Sequence, residues 1–156
     1  MPKYLPIIIV FIILGFLVYQ KILAKTPSVE TISLTLNNTK FELEVAKSLS
    51  QKSRGLSERS AMCQNCGMIF VYTNEGTYPF WMKDTLISLD MIWVNNKGIV
   101  TDIITAVPEP NTPITKLTLY QNTKPAQYII ELNANQAQNI GLKNGDQIWT
   151  NPPTFQ

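Results

Sequence analysis

The chain reads as a mainly β domain of the α+β class: a compact antiparallel β-sandwich or barrel with one or two short helices, preceded by an N-terminal transmembrane helix. Three observations predict this. Short apolar runs, some alternating with period two and some continuous, recur between turns rich in Asn, Gly and Pro. Helix-start and helix-stop signals are confined to two short stretches, near residues 48–60 and 133–141. Residues 4–18 carry no charge at all.

The N-terminal run continues through Ala24, giving about 21 residues and a length of about 30 Å, the thickness of a hydrocarbon core. Tyr4 and Tyr19 flank its apolar part, where interfacial aromatics belong. Residues 1–24 therefore read as a signal-anchor, 25–28 as a linker and 29–156 as the domain. A cleaved signal peptide competes with this reading, but Ile22-Leu23-Ala24 matches a small-x-small cleavage site poorly. Lys3 is opposed by Lys21 and Lys25, so charge leaves the orientation open. With so few residues before the run, the large domain is the part to be translocated. The expected location is the cell membrane, single-pass, with the C-terminal domain outside the cytoplasm. The membrane is then the first expected partner, through residues 4–24.

The apolar fraction of 45% is ordinary and the charged fraction of 15% is low, as a membrane segment would make it. A net charge of +2 gives no field for nucleic acid, and none is expected as a partner. The chain has no histidine, which removes the commonest general base and the commonest zinc ligand. No catalytic set is recognisable, so the reading leans away from an enzyme, and no cofactor is expected.

Within the domain, Ile32–Leu36 and Phe41–Val45 alternate around Asn37-Asn38 and predict a hairpin whose glutamates face water. Ser48 with Gln51 forms a capping-box pattern for a helix ending near Gly55 or Ser60, with Leu49 and Leu56 toward the core. Met68–Tyr72 is a buried strand, Tyr78–Met82 another, and Leu89–Val94 a third that closes on Asn95-Asn96-Lys97-Gly98. Ile99–Val107 returns, and Pro108, Pro110 and Pro113 then break the pattern. Leu117–Tyr120 is a short strand, and Tyr128–Leu132 a clear one. Asn133 or Asn135 caps a short helix ending at Gly141, and Asp146–Thr150 closes the domain after the Asn144-Gly145 turn.

Several of these segments, Arg54-Gly55-Leu56, Arg59, Gly67–Tyr72 and above all Phe80-Trp81-Met82-Lys83 through Leu89-Asp90 to Val94, resemble the bacterial and archaeal domain-of-unknown-function family 192. The resemblance covers residues 30 to 150. That family usually has Asn where Asp84 stands, Pro at Ser88 and Met at Ser57. The resemblance implies a compact β-rich domain, often with a leader or anchor, and no known activity.

The residues must carry the rest. Strand parity puts Leu89, Met91 and Trp93 on one face and Asp90, Ile92 and Val94 on the other. Asp90 then lies in a core, where a carboxylate needs a partner. Arg54 is the first choice, because a guanidinium fits a carboxylate bidentately; Arg59, Lys83 and Thr85 are the others. The functional reading is a polar pocket for a small ligand formed by Arg54, Trp81, Lys83, Asp84, Thr85 and Asp90. The structural reading of Asp90 is a buried ion pair that pins the helix to the sheet. Asp84 and Asp90 as an acid–base pair is a third.

Cys63 and Cys66 are the only cysteines, and outside the cytoplasm a disulfide is the default. A redox-active dithiol would sit at a helix start, whereas this pair precedes a strand. Two thiolates with Met62 and Met68 could hold a soft metal such as Cu(I), although methionines beside strands more often fill cores. The sequence thus predicts a membrane-anchored, non-catalytic module for an unknown small molecule or envelope partner, with an envelope thiol-redox or copper protein as the alternative.

Overall fold

The computed structural model describes residues 12–16, 19 and 29–155. Residues 12–16 and 19 are helical. Most of the predicted membrane segment, and all of the linker, lies outside the described residues. Among the described residues, no helix is long and apolar enough to cross a membrane.

The domain runs β1 (Thr31–Leu36), β2 (Thr39–Ala46), α1 (Leu49–Arg54), β3 (Cys66–Gly76), β4 (Leu89–Val94), β5 (Val100–Ala106), a 3-10 turn (Ile114–Lys116), β6 (Ala126–Asn133) and α2 (Gln136–Asn139). The strands form one six-stranded sheet in the order β1-β2-β3-β6-β4-β5. This corrects the expected antiparallel sandwich or barrel in two respects. The sheet is single and open, and β2 pairs with β3 in parallel. The connection between those two strands carries α1 and a long loop, and a parallel pair needs a crossover of that kind.

The period of two along each strand divides the apolar side chains between the two faces. Phe41, Leu43, Ile69, Ile92 and Ile130 face one core, which Ala137, Leu142 and Trp149 cover. Met68, Phe70, Met91, Trp93 and Ile129 face the other, under Leu56, Met82 and Phe80. All six residues of β4 are buried, with the parity that the sequence predicts.

Local signals hold at α1. The Gln51 N–H donates to Ser48 Oγ at 3.2 Å, the Ser48 N–H donates to Gln51 Oε1 at 2.9 Å, and Gly55 ends the helix with φ 48°. Leu49 does not face the core, however. It is 88% exposed, and only Leu56, beyond the helix, is buried.

Tyr78–Met82 and Leu117–Tyr120 are not strands. They share a single bridge, Phe80 to Tyr120. Pro79 has no N–H to donate, and the Tyr78 N–H goes to Asn122 Oδ1 at 2.8 Å. Asp146–Thr150 likewise makes one bridge only, Gln147 to Ile99. The predicted cap of α2 also differs. Asn135 takes a left-handed conformation with φ 69° and its side chain caps nothing; the Ala137 N–H donates instead to Asp90 Oδ2 at 2.9 Å.

Cys63 and Cys66, the first residue of β3, form a disulfide that closes the turn leading into that strand. The turn is also held from both sides: Asn133 Nδ2 donates to the Cys63 carbonyl at 2.8 Å, and the Glu42 N–H donates to the Asn65 carbonyl at 2.9 Å. A loop this small limits the chain-entropy gain to about 2 kcal/mol. The double variant Cys63→Ser/Cys66→Ser should therefore fold, with an unfolding free energy lower by about 1–2 kcal/mol in urea titrations.

Candidate functional site

After Gly55 the chain turns back across the Met91 face of the sheet, anchored by buried Leu56. Two hydrogen bonds then tie this loop to the Met82–Thr85 turn. The Glu58 N–H donates to the Asp84 carbonyl at 2.7 Å, and Ser57 Oγ donates to the Lys83 carbonyl at 3.2 Å. The turn closes through the Thr85 N–H to the Met82 carbonyl at 3.1 Å, with Asp84 left-handed at φ 54°. Asp and Asn tolerate that conformation better than most residues, which suits the position.

Between loop and turn lies a narrow slot of about 30 Å³, walled by Gly55, Ser57, Phe70, Phe80, Trp81 and Thr85, with Glu131 at its base. A cleft of about 360 Å³ opens beside it, lined by Arg54, Ser57, Glu58, Trp81, Lys83, Asp84 and Ile114. The two share Ser53, Arg54, Ser57 and Trp81. Trp81 is 41% exposed, so its indole is available to a ligand. Lys52, also on the slot, stands over the Tyr72 ring at 3.9 Å from its centroid, and partial burial lowers its pKa.

Glu131 is the unusual group. Pairing across the sheet sets Glu44, Met68, Glu131 and Met91 in one row. Arg59 spends its fork on Glu44, with Nη1 and Nη2 donating to the two carboxylate oxygens at 2.5 and 2.7 Å. The bond to Glu44 holds the Arg59 pKa up. Glu131 keeps only the longer-range attraction of Arg59, and no hydrogen bond reaches its carboxyl among the described residues. Burial pushes its pKa up to about 8, against the opposing pull of Arg59. At neutral pH it is therefore a neutral acid that can both donate and accept.

Five of the six residues predicted for the site thus surround these two cavities: Arg54, Trp81, Lys83, Asp84 and Thr85. Lys83 pairs with Asp84, both well exposed, so that pair adds little to stability. Asp90 does not join them. It is buried, but on the opposite face of the sheet, where Thr105 Oγ1 donates to its Oδ1 at 2.7 Å and Ala137 N–H to its Oδ2. The expected Arg54–Asp90 ion pair is absent, because the sheet separates the two. The same separation removes Asp84 and Asp90 as an acid–base pair. Met68 is buried in the core, and Cys63 and Cys66 are oxidised, so the four do not present the soft thiolate set that Cu(I) would need. Among the described residues, no group of three His, Cys, Asp or Glu side chains is placed to hold a metal ion.

Sequence reasoning missed Glu131, although the signal was there. A carboxylate in Tyr128–Leu132 sits among apolar residues of both parities, the pattern that singled out Asp90. It also missed Asn122 and Asp102, buried side chains that fix the loop beside Tyr78. Asn122 Nδ2 donates to the Gly76 and Lys124 carbonyls, and Asp102 accepts from Thr123.

Residues 32–150 match the model of family DUF192, described as Uncharacterized ACR. No curated protein matches the chain. Two solved structures are similar. One, a candidate transcription regulator from Sinorhizobium meliloti 1021, is 28% identical with a TM-score of 0.63, over 75% of this chain and 88% of that one. The other, a protein of unknown function from Novosphingobium aromaticivorans DSM 12444, is 26% identical with a TM-score of 0.66, over 79% and 87%. The family match takes in every strand of the sheet and both walls of the cavities, and the chain belongs to the domain-of-unknown-function family 192.

Proposed function

We propose that this is a non-catalytic, membrane-tethered module that binds a small ligand in the slot and cleft between the 55–59 loop and the Met82–Thr85 turn. The observation that carries the reading is Glu131. Glu131 is 4% exposed, its side chain makes no hydrogen bond among the described residues, and it lines a slot with room for about one water-sized group, so its carboxyl can take a partner from outside. A ligand hydroxyl or amine in that slot satisfies Glu131, while the body of the ligand lies in the cleft against Trp81. Arg54, Ser57 and Lys83 then meet its polar groups. An aromatic wall with a few convergent polar groups is the usual make-up of a small-molecule site. The apolar run at residues 4–24 supports the tether, and a disulfide between the only two cysteines suits an oxidising compartment.

A thermal-shift screen of the full chain against monosaccharides, polyols and small amines tests the site. A ligand at 100 times its dissociation constant should stabilise the fold by about 2.7 kcal/mol. Ser57→Met, which fills the junction of slot and cleft, should abolish the shift. A compound that stabilises both proteins equally would place binding elsewhere, and a screen without a single shift would overturn the reading.

A further inference from the structure

The large apolar side chains that residues 29–155 leave exposed all lie before residue 120. None belongs to β6, α2 or the segment that covers the other face. Three of them cluster beside the cleft. Trp81 and Leu119 adjoin the two residues of the antiparallel Phe80–Tyr120 bridge, and Ile114 closes the same cleft as Trp81. Trp81, Ile114 and Leu119 are 41%, 58% and 59% exposed. The charges lining the cleft cancel: Arg54 and Lys83 against Glu58 and Asp84. An exposed Trp with aliphatic neighbours and balanced charge matches the interfacial layer of a bilayer better than it matches an anionic partner.

The route of the chain points to the same surface. Val29 shares a crevice with Arg54, and Arg54 also lines the cleft with Trp81. The five steps from Ala24 to Val29 reach at most about 17 Å. A domain of this size is roughly 36 Å across. A tether that short cannot bring the far face, with α2, to the lipid.

We propose that the rim of Trp81, Ile114 and Leu119 is a docking surface for a zwitterionic lipid bilayer, which lays the cleft open to the headgroup layer. The proposal rests on the reading of residues 4–24 as a membrane segment. Trp93 and Trp149 are buried, so quenchers outside the protein report on Trp81. In phosphatidylcholine vesicles holding the full chain, acyl-brominated lipid should quench emission that the Trp81→Phe variant lacks, and aqueous iodide should not. Replacing a minor share of the lipid with phosphatidylserine should leave this unchanged. If the chain floats with the vesicles but iodide quenches Trp81 and brominated lipid does not, docking is overturned while the tether stands. If the chain does not float, the membrane segment and the docking surface fall together. Shielding of Trp81 from both quenchers would mean that a second copy covers the rim, and would overturn the lipid assignment.

Discussion

Glu131→Gln is expected to gain on the parent protein by about 3 kcal/mol of unfolding free energy between pH 4 and pH 7. The carboxyl titrates near 4.5 in the unfolded chain and at about 8 in the folded one. Between those values the folded state holds a proton that the unfolded state has lost. Stability from this group is therefore complete below pH 4.5 and falls as pH rises toward 8, by up to about 1.4 kcal/mol per pH unit. The glutamine keeps the shape and cannot ionise, so its curve lacks this descent. Other carboxylates contribute equally to both proteins and cancel in the difference. Urea denaturation of parent and variant at the two pH values gives the answer. Parallel curves would mean that Glu131 is charged in the folded state, and the slot would then be a site for a cation.

Asp90→Ala is expected to lower the unfolding free energy by about 3 kcal/mol. Asp90 is 1% exposed, and its carboxyl oxygens accept from Thr105 and from the Ala137 N–H. Hydrogen bonds to a charged acceptor contribute about 1.5–3 kcal/mol, and a buried donor left unpaired costs about 1–3 kcal/mol. Thr105 is exposed and can turn to water, so the loss falls mainly on the buried Ala137 N–H. Asp90→Asn retains an acceptor and should lose only about half as much. Arg54→Ala should shift stability by less than about 0.5 kcal/mol, as an exposed substitution does. A large loss from Arg54→Ala, matching that from Asp90→Ala, would restore the ion pair that the fold separates.

What was legible in the sequence was local. The hairpin turn at Asn37-Asn38, the capping box at Ser48 and the parity of Leu89–Val94 each depend on neighbours a few residues apart, and each is found as expected. The errors concern partners distant in the chain. Nothing in Thr39–Ala46 or Cys66–Gly76 says that the two pair in parallel, because that follows from the path of the crossover between them. Tyr78–Met82 has strand composition, yet its backbone is claimed by the Asn122 side chain and one bridge. The site shows the same division. Trp81, Lys83, Asp84 and Thr85 are consecutive or nearly so and were found as a block. The sequence pairs Arg54 with Asp90, yet Arg54 lines a cavity on the other face. Glu131 comes from the far end of the chain and enters the site only because β6 sits next to β3.

That placement of β6 has a consequence for the order of events in biogenesis. The strand made last is hydrogen-bonded on both sides, to β3 and to β4. Until residues 126–133 have emerged, the chain can form only β1-β2-β3 and the β4-β5 pair, each with an open edge and an uncovered apolar face. Such edges are templates for misassociation. The sheet and the slot are therefore completed in one step, once residues 126–133 have been delivered. Until that step the domain stays unfinished, and open to whatever handles unfolded chains.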